Sequence, residues 1–412
     1  MAMIRFLLTC LFVFTFIQST IGQGLGFVIA DGRKRVEIPI QIENNLIVVP
    51  LVLNDVLPLK FIVDTGVRTA ILTQKAFSDI LDLPYSRKYS VSGPGGVKII
   101  DAYVANNVSL SLPGVTGRGH ALLVLEEDYL ELRNFLGTDV HGILGYELFS
   151  RFIVKIDYNR KIMTLILPEK FRPGKKYEEL PMLIEDTKPF ILTSLNLTPT
   201  SSMTAKLLMD TGASHGLMLE PLSDEKILVP PNTVSTVIGR GLGGVITGKT
   251  GRIESLKLGN YTLDNVLANF PDPNSYMDTL KSSLTFRHGT IGGEILSRFT
   301  VIFNFPQGKL YLKKNSEFKK KFYMNLSGLD VKAKGSNLDI FEVSEVRKFS
   351  PADKIGIKKG DIIHAVNGIP TKSLHLNHIN ALLNSKPGKK VSIVFEREAI
   401  RYKLDFVLES QI

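Results

Sequence analysis

Two aspartates stand out by what surrounds them. Asp64 is followed by Thr65 and Gly66, and Asp210 by Thr211 and Gly212. Each triplet follows an apolar run, Phe61-Ile62-Val63 in the first and Leu207-Leu208-Met209 in the second. A carboxylate at the end of a buried strand is costly unless it is paired or hydrogen-bonded. A glycine two residues later permits a tight turn or a close backbone approach. If the two turns met, their carboxylates would share one site. Two like charges in contact cannot both ionise easily, so such a pair holds one proton. One carboxylate can then take a proton from water while the other gives a proton to a carbonyl oxygen. That chemistry requires no metal, no cofactor and no nucleophilic side chain, and none is expected. A single Asp-Thr-Gly, by contrast, is an ordinary β-turn, Asp being a common turn starter.

The second copy decides between those readings, because it belongs to an internal repeat. Asp210 lies 146 positions after Asp64. HGILGYELFSRFIVKIDY (141–158) is matched by HGTIGGEILSRFTVIFNF (288–305), with Glu147 and Glu294 147 positions apart. Gly93-Pro94-Gly95-Gly96 is matched by Gly241-Leu242-Gly243-Gly244 at an offset of 148. Three blocks keep their order and share one offset to within two residues, so the chain carries two copies of one unit.

The elements that must hold these residues are mostly strands. Leu46–Leu53, Lys60–Val63, Val108–Leu112, Ile153–Ile156 and Met163–Leu167 are rich in Val, Ile and Phe and bounded by turn formers. The second copy repeats them at Ala205–Met209, Ser255–Leu258, Thr300–Phe305 and Lys309–Leu312. Short helices are expected at Gln74–Leu81, Glu147–Arg151 and Glu294–Arg298. Two such units in tandem predict a mainly β fold with two lobes facing each other about a pseudo-twofold axis.

At these residues the chain resembles the aspartic protease superfamily, each unit being similar to a retropepsin-like domain and the pair to a fused, pepsin-like enzyme. The resemblance covers about 30–315. It rests on the two Asp-Thr-Gly motifs, the later Ile143-Leu144-Gly145 and Thr290-Ile291-Gly292 elements, and the glycine-rich segments between them. It implies catalytic roles for Asp64 and Asp210. It implies supporting roles for Thr65, Gly66, Thr211 and Gly212, with the threonines interlocking the two turns. It also implies that the apolar-Gly elements pack beneath them. Gly93, Gly95 and Gly96, and Gly241, Gly243 and Gly244, would belong to two flaps closing over an extended peptide. An ordinary hairpin loop is the alternative reading of both; the missing Lys-Ser/Thr and βαβ context argue against a phosphate loop at IGRGLGGV (238–245). One departure is Arg68, where the family has a small or polar residue, as Ser214 is in the second motif. A cation there could favour ionised carboxylates, bind an acidic substrate group or point to solvent. It supports the alternative of a catalytically degenerate, secreted peptide-binding adaptor. The repeated His141 and His288 and the repeated Glu147, Glu294, Arg151 and Arg298 read as structural.

The last 90 or so residues have another pattern. SPADKIGIKKGDIIHAVNG (350–368) resembles a PDZ domain of the bacterial type over about 322–410. The resemblance implies a peptide added to a sheet edge. A C-terminal peptide's carboxylate would be held by the loop Ser327, Gly328, Leu329 and Asp330. A PDZ domain that only packs on the lobes is the other possibility.

The chain has 412 residues, with Lys+Arg 50 against Asp+Glu 40. The resulting +10 has no nucleic-acid motif behind it, so no nucleic-acid partner is expected. A basic residue, then an apolar run, then Thr20 and Gly22 predict a cleaved signal at 1–22. Export to the periplasm or medium follows, with no membrane span after cleavage. The one cysteine, Cys10, would leave with that signal. The expected layout is a first lobe at 25–175, a second at 176–315, a Lys-rich, solvated connector at 316–324 and a PDZ domain at 325–412. Peptide or protein substrates are the expected partners. The internal repeat makes homodimerisation unnecessary, so a monomer is expected.

Overall fold

The computed structural model describes residues 25–91, 93, 95, 100–273 and 285–412. The leader expected at 1–22 and Gly96, expected in the first flap, lie outside the described residues.

The first lobe contains the principal strands β1 (Arg35–Pro39), β2 (Leu46–Leu53), β3 (Leu57–Val63) and β4 (Ala70–Leu72). After helix α1 (Lys75–Asp79) come β5 (Tyr85–Val91), β6 (Ile100–Val108) and β7 (His120–Leu125). Helix α2 (Leu132–Leu136), β8 (Gly142–Leu144), helix α3 (Tyr146–Arg151), β9 (Ile153–Asp157) and β10 (Ile162–Ile166) complete it. The second lobe contains β11 (Glu178–Pro181), β12 (Lys188–Thr198), β13 (Ser201–Met209), β14 (Leu217–Leu219), β15 (Val234–Gly241), β16 (Gly244–Leu258) and β17 (Tyr261–Pro271). It ends with β18 (Gly289–Ile291), helix α4 (Gly293–Leu296), β19 (Phe299–Asn304) and β20 (Lys309–Lys314).

The repeat read from the sequence is a repeat of topology. The first lobe's main sheet runs β2-β3-β8-β4-β7-β6-β5, and the second lobe's runs β12-β13-β18-β14-β17-β16-β15. In each, the apolar-Gly strand (β8 or β18) is inserted beside the strand that ends at the aspartate. It runs parallel to that strand and antiparallel to the next. A third sheet, β11-β20-β19-β9-β10-β1, is shared between the lobes, with β9 pairing β19 across the junction.

Alternate side chains of a strand enter different apolar clusters. β2 carries Val49, Leu51 and Leu53 into the core, and β19 carries Val301 and Phe303. One hydrophobic core runs through both lobes. At its centre Phe149 of α3 meets Phe303 at 5.5 Å edge-on and Phe305 at 5.3 Å, in the range where aromatic pairs add to area burial. The lobes are therefore joined by a sheet and by packing.

The C-terminal region is a separate sheet with its own core. It contains β21 (Leu329–Lys334), β22 (Ile340–Val346), helix α5 (Pro351–Lys354), β23 (Ile362–Val366), helix α6 (Leu376–Leu383), β24 (Lys390–Arg397) and β25 (Ile400–Val407). The order is β21-β22-β23-β24-β25, which leaves β21 at an edge. Ser350 caps α5 by accepting a hydrogen bond from the Asp353 N–H, as a residue before a helical Pro-Ala often does.

The connector departs from the expected solvated tether. Its lysines are exposed, but Phe318 packs edge-on against Phe299 at 5.4 Å, and Phe322 lies 3.6 Å beneath the Arg298 guanidinium. Lysine-rich composition described the outer face only; the phenylalanines between the lysines anchor the segment to the second lobe.

Candidate active site

The two Asp-Thr-Gly turns meet at the lobe junction. Each turn is fixed from below by the inserted strand: the Asp64 N–H donates to Leu144 O, and the Asp210 N–H to Ile291 O, both at 2.9 Å. The threonines lock the turns together. The Thr65 N–H donates to Thr211 Oγ1 and the Thr211 N–H donates to Thr65 Oγ1, each at 3.1 Å. Each hydroxyl then donates onward to the other lobe's strand, Thr65 to Met209 O and Thr211 to Val63 O. Both threonines are buried, and this exchange meets the hydrogen-bonding needs of their N–H and hydroxyl groups.

This lock sets the carboxyls of Asp64 and Asp210 side by side: a Cβ at Gly66 would lie 3.0 Å from Asp64 Oδ1 and 3.4 Å from Asp210 Oδ2. The Gly66 N–H donates to Asp64 Oδ1 at 2.6 Å, and the Gly212 N–H to Asp210 Oδ1 at 2.8 Å. Glycine is required at 212: a Cβ there would lie 2.1 Å from Asp64 Cγ. Burial first, and the neighbouring Asp210 carboxylate second, push the Asp64 pKa well above the usual carboxylate range. The Gly66 N–H and the Lys188 ammonium pull the other way.

The dyad opens into a cleft of about 840 Å³. The first lobe lines it with Leu46, Ile62, Leu132 and Phe135 beside Asn44 and Asn45, the second with Met218, Ile238, Arg240 and Arg287, and the C-terminal domain with Leu329 and Val331. Such a mixture suits an extended peptide, with apolar pockets for side chains and a few polar groups for orientation.

Both glycine-rich segments sit over this cleft. β15 and β16 form a hairpin whose Gly241 and Gly244 pair across the turn Leu242-Gly243. Gly93 and Gly95 lie at the end of the β5–β6 hairpin and abut the second: a Cβ at Gly95 would come within 2.1 Å of Gly244 O. Gly95 and Gly244 have φ of +112° and +126°, a conformation that favours glycine. The tips of the two hairpins thus touch each other above the carboxyls.

Arg68 is turned away. Its side chain is 72% exposed, and its guanidinium lies 3.7 Å from Asp186. That removes the main support for a degenerate site. His141 and His288 are equivalent in structure as in sequence: the ring Nδ1 of each accepts a backbone N–H, from Lys60 and Lys206 respectively. Glu147 and Glu294 diverge. Glu147 bonds to His120, whereas Glu294 faces the cleft, 3.8 Å from Arg298. Burial raises the Glu294 pKa.

Of the loop residues, Ser327 and Leu329 are fully buried, whereas Asp330 is exposed and lines the cleft. The Gly328 N–H donates to Asn325 Oδ1, and the Leu329 N–H to Ser327 Oγ. Helix α2 and Arg240 were not found from the sequence. α2 is a five-residue helix with no motif of its own, and Arg240 stands within a glycine-rich run.

Sequence relationships agree with this geometry. The aspartyl protease family matches the chain at residues 49–148 and 201–293, one span in each lobe, and the PDZ domain family matches residues 342–397. Among solved structures, a photosystem II D1 C-terminal processing protease matches at 25% identity. That match covers 20% of this chain and 22% of that one, with a TM-score of 0.19, so the chain spans about a fifth of that protease's length. No curated protein matches. The chain is a two-lobed member of the aspartyl protease family with a C-terminal PDZ domain.

Proposed function

We propose that this chain is an aspartic endopeptidase in which Asp64 and Asp210 share one proton and activate water between them. The observation that carries the proposal is the placement of both carboxyls beside Gly66, with the Asp64 pKa raised by burial and by Asp210. The ionised member takes a proton from water, and the resulting oxygen nucleophile attacks the peptide carbonyl carbon. The protonated member gives its proton to the carbonyl oxygen. The tetrahedral diol then collapses as a proton passes to the amide nitrogen, breaking the C–N bond. The two titrations belong to the pair rather than to either residue. Thr65, Gly66, Thr211 and Gly212 hold the pair, and the two glycine hairpins close over an extended substrate.

The PDZ domain is proposed to recruit peptide or protein substrates by strand addition, and the leader at 1–22 to export the chain, which acts as a monomer. Peptide-library cleavage with and without a pepstatin-type inhibitor tests the proposal. Inhibitor-sensitive cleavage supports it; no cleavage between acid and neutral pH overturns it.

A further inference from the structure

The groove between β21 and α6, where a PDZ domain would take an added strand, is already in contact with the first lobe. Asn134 of α2 donates from Nδ2 to Ala333 O at 2.7 Å. The neighbouring Arg133 donates to Gly335 O at 3.2 Å and also to Ser336 O. Glu131, just before α2, lies 3.4 Å from Lys332 Nζ. The other wall is held too: Asn377 of α6 bonds to Glu43, and Gly137, which ends α2, packs on Leu376.

The same helix faces the cleft. Leu132, Phe135 and Leu136 line it. The Phe135 ring carries two cations, the Arg240 guanidinium at 4.3 Å and the Lys332 ammonium at 5.7 Å. Arg240 belongs to the β15–β16 hairpin, one residue before its tip. A single ring in the first lobe therefore ties the second lobe's flap to the edge strand of the PDZ domain.

We propose that α2 is the resident occupant of the PDZ groove and the latch on the second flap. A peptide strand added along β21 needs the Ala333 carbonyl and the space that α2 now fills, so the two compete. Displacing α2 carries Phe135 away from Arg240, frees the hairpin and opens the cleft. The PDZ ligand is thus an activator as well as a tether. Only this kinetic consequence rests on the peptidase reading; the mechanical coupling does not.

The test uses the full chain carrying Asp64→Asn, so that turnover plays no part, and follows hydrogen–deuterium exchange. Arg133→Ala/Asn134→Ala is expected to speed exchange in β21 and in the 234–246 hairpin together. Arg240→Ala is expected to speed the hairpin alone, by about two- to fivefold, the worth of an exposed cation–π contact. Combining all three substitutions should speed the hairpin no more than Arg240→Ala does. A hairpin left at the wild-type rate by either variant overturns the proposal, as does an additive triple variant. If the paired substitution unfolds the PDZ domain, seen as fast exchange through β24 and β25, the Arg240→Ala result decides alone. In parallel, an immobilised array of random decapeptides should bind Arg133→Ala/Asn134→Ala more tightly than the parent; equal binding contradicts cis occupancy. A chain that cleaves nothing would refute the peptidase reading while these measurements still decide the latch.

Discussion

Thr65 and Thr211 exchange backbone-to-hydroxyl hydrogen bonds across the lobe junction, both 3.1 Å long. Everything above them depends on that exchange, because the aspartate of each turn immediately precedes its threonine. Thr65→Val removes an acceptor from the Thr211 N–H and a donor from Met209 O. Leaving buried polar groups unpaired costs roughly 1–3 kcal/mol each. The expected outcome is a loss of that order in urea-unfolding stability, with a larger fall in kcat than in substrate affinity. Unchanged stability and turnover would show that the lock is dispensable.

Gly212→Ala tests the spacing of the carboxyls more sharply. The new methyl would sit 2.1 Å from Asp64 Cγ, so the dyad must move apart or Asp64 must turn away. Cleavage is expected to fall by at least about a hundredfold, the order expected when reacting groups shift by an ångström. Circular dichroism should stay that of the folded chain.

Asp64 gives two pH dependences of defined sign. Its pKa is raised by burial and by Asp210, so the dyad keeps its proton into a range where a free aspartate is ionised. Cleavage should therefore fall as pH rises through the raised value. For stability, the folded chain holds this proton more tightly than the unfolded chain does. That contribution is fully present below the ordinary carboxylate pKa and is lost as pH rises through the raised one. Asp64→Asn cannot lose it. Urea unfolding across a pH series should show the variant gaining on the parent as pH rises through this window. A constant gap would mean that the Asp64 pKa is not raised.

Phe149 tests how the lobes are joined. It is fully buried between Phe303 and Phe305 of the second lobe. Phe149→Ala should cost about 3–5 kcal/mol by the scale of buried aromatic truncations, and the two lobes should still unfold in one transition. Two separated transitions would contradict a core continuous through both.

The two Asp-Thr-Gly turns were legible in the sequence for a physical reason. Duplication wrote the same apolar-Asp-Thr-Gly pattern twice at one offset, and each strand leading to it ends in an apolar triplet that is buried beside the aspartate. The segment expected as Leu46–Leu53 is β2 itself. Other features had no local signal. Nothing near Arg68 indicates that Asp186 draws it outward. Nothing near Asn134 indicates a carbonyl 199 residues away. Phe318 and Phe322 were hidden among lysines, since charge pattern reports a solvated face and not the aromatic side chains beneath it. Contacts between domains are made by surfaces whose residues are unremarkable one by one.

The most direct measurement of the central claim is steady-state cleavage of a peptide library by the parent chain beside Asp64→Asn and Asp210→Asn, each checked for folding. The account expects inhibitor-sensitive cleavage by the parent and at least a thousandfold loss in both variants, about 4 kcal/mol of transition-state stabilisation. Parent-like cleavage by either variant would show that the Asp64–Asp210 pair is not the catalyst.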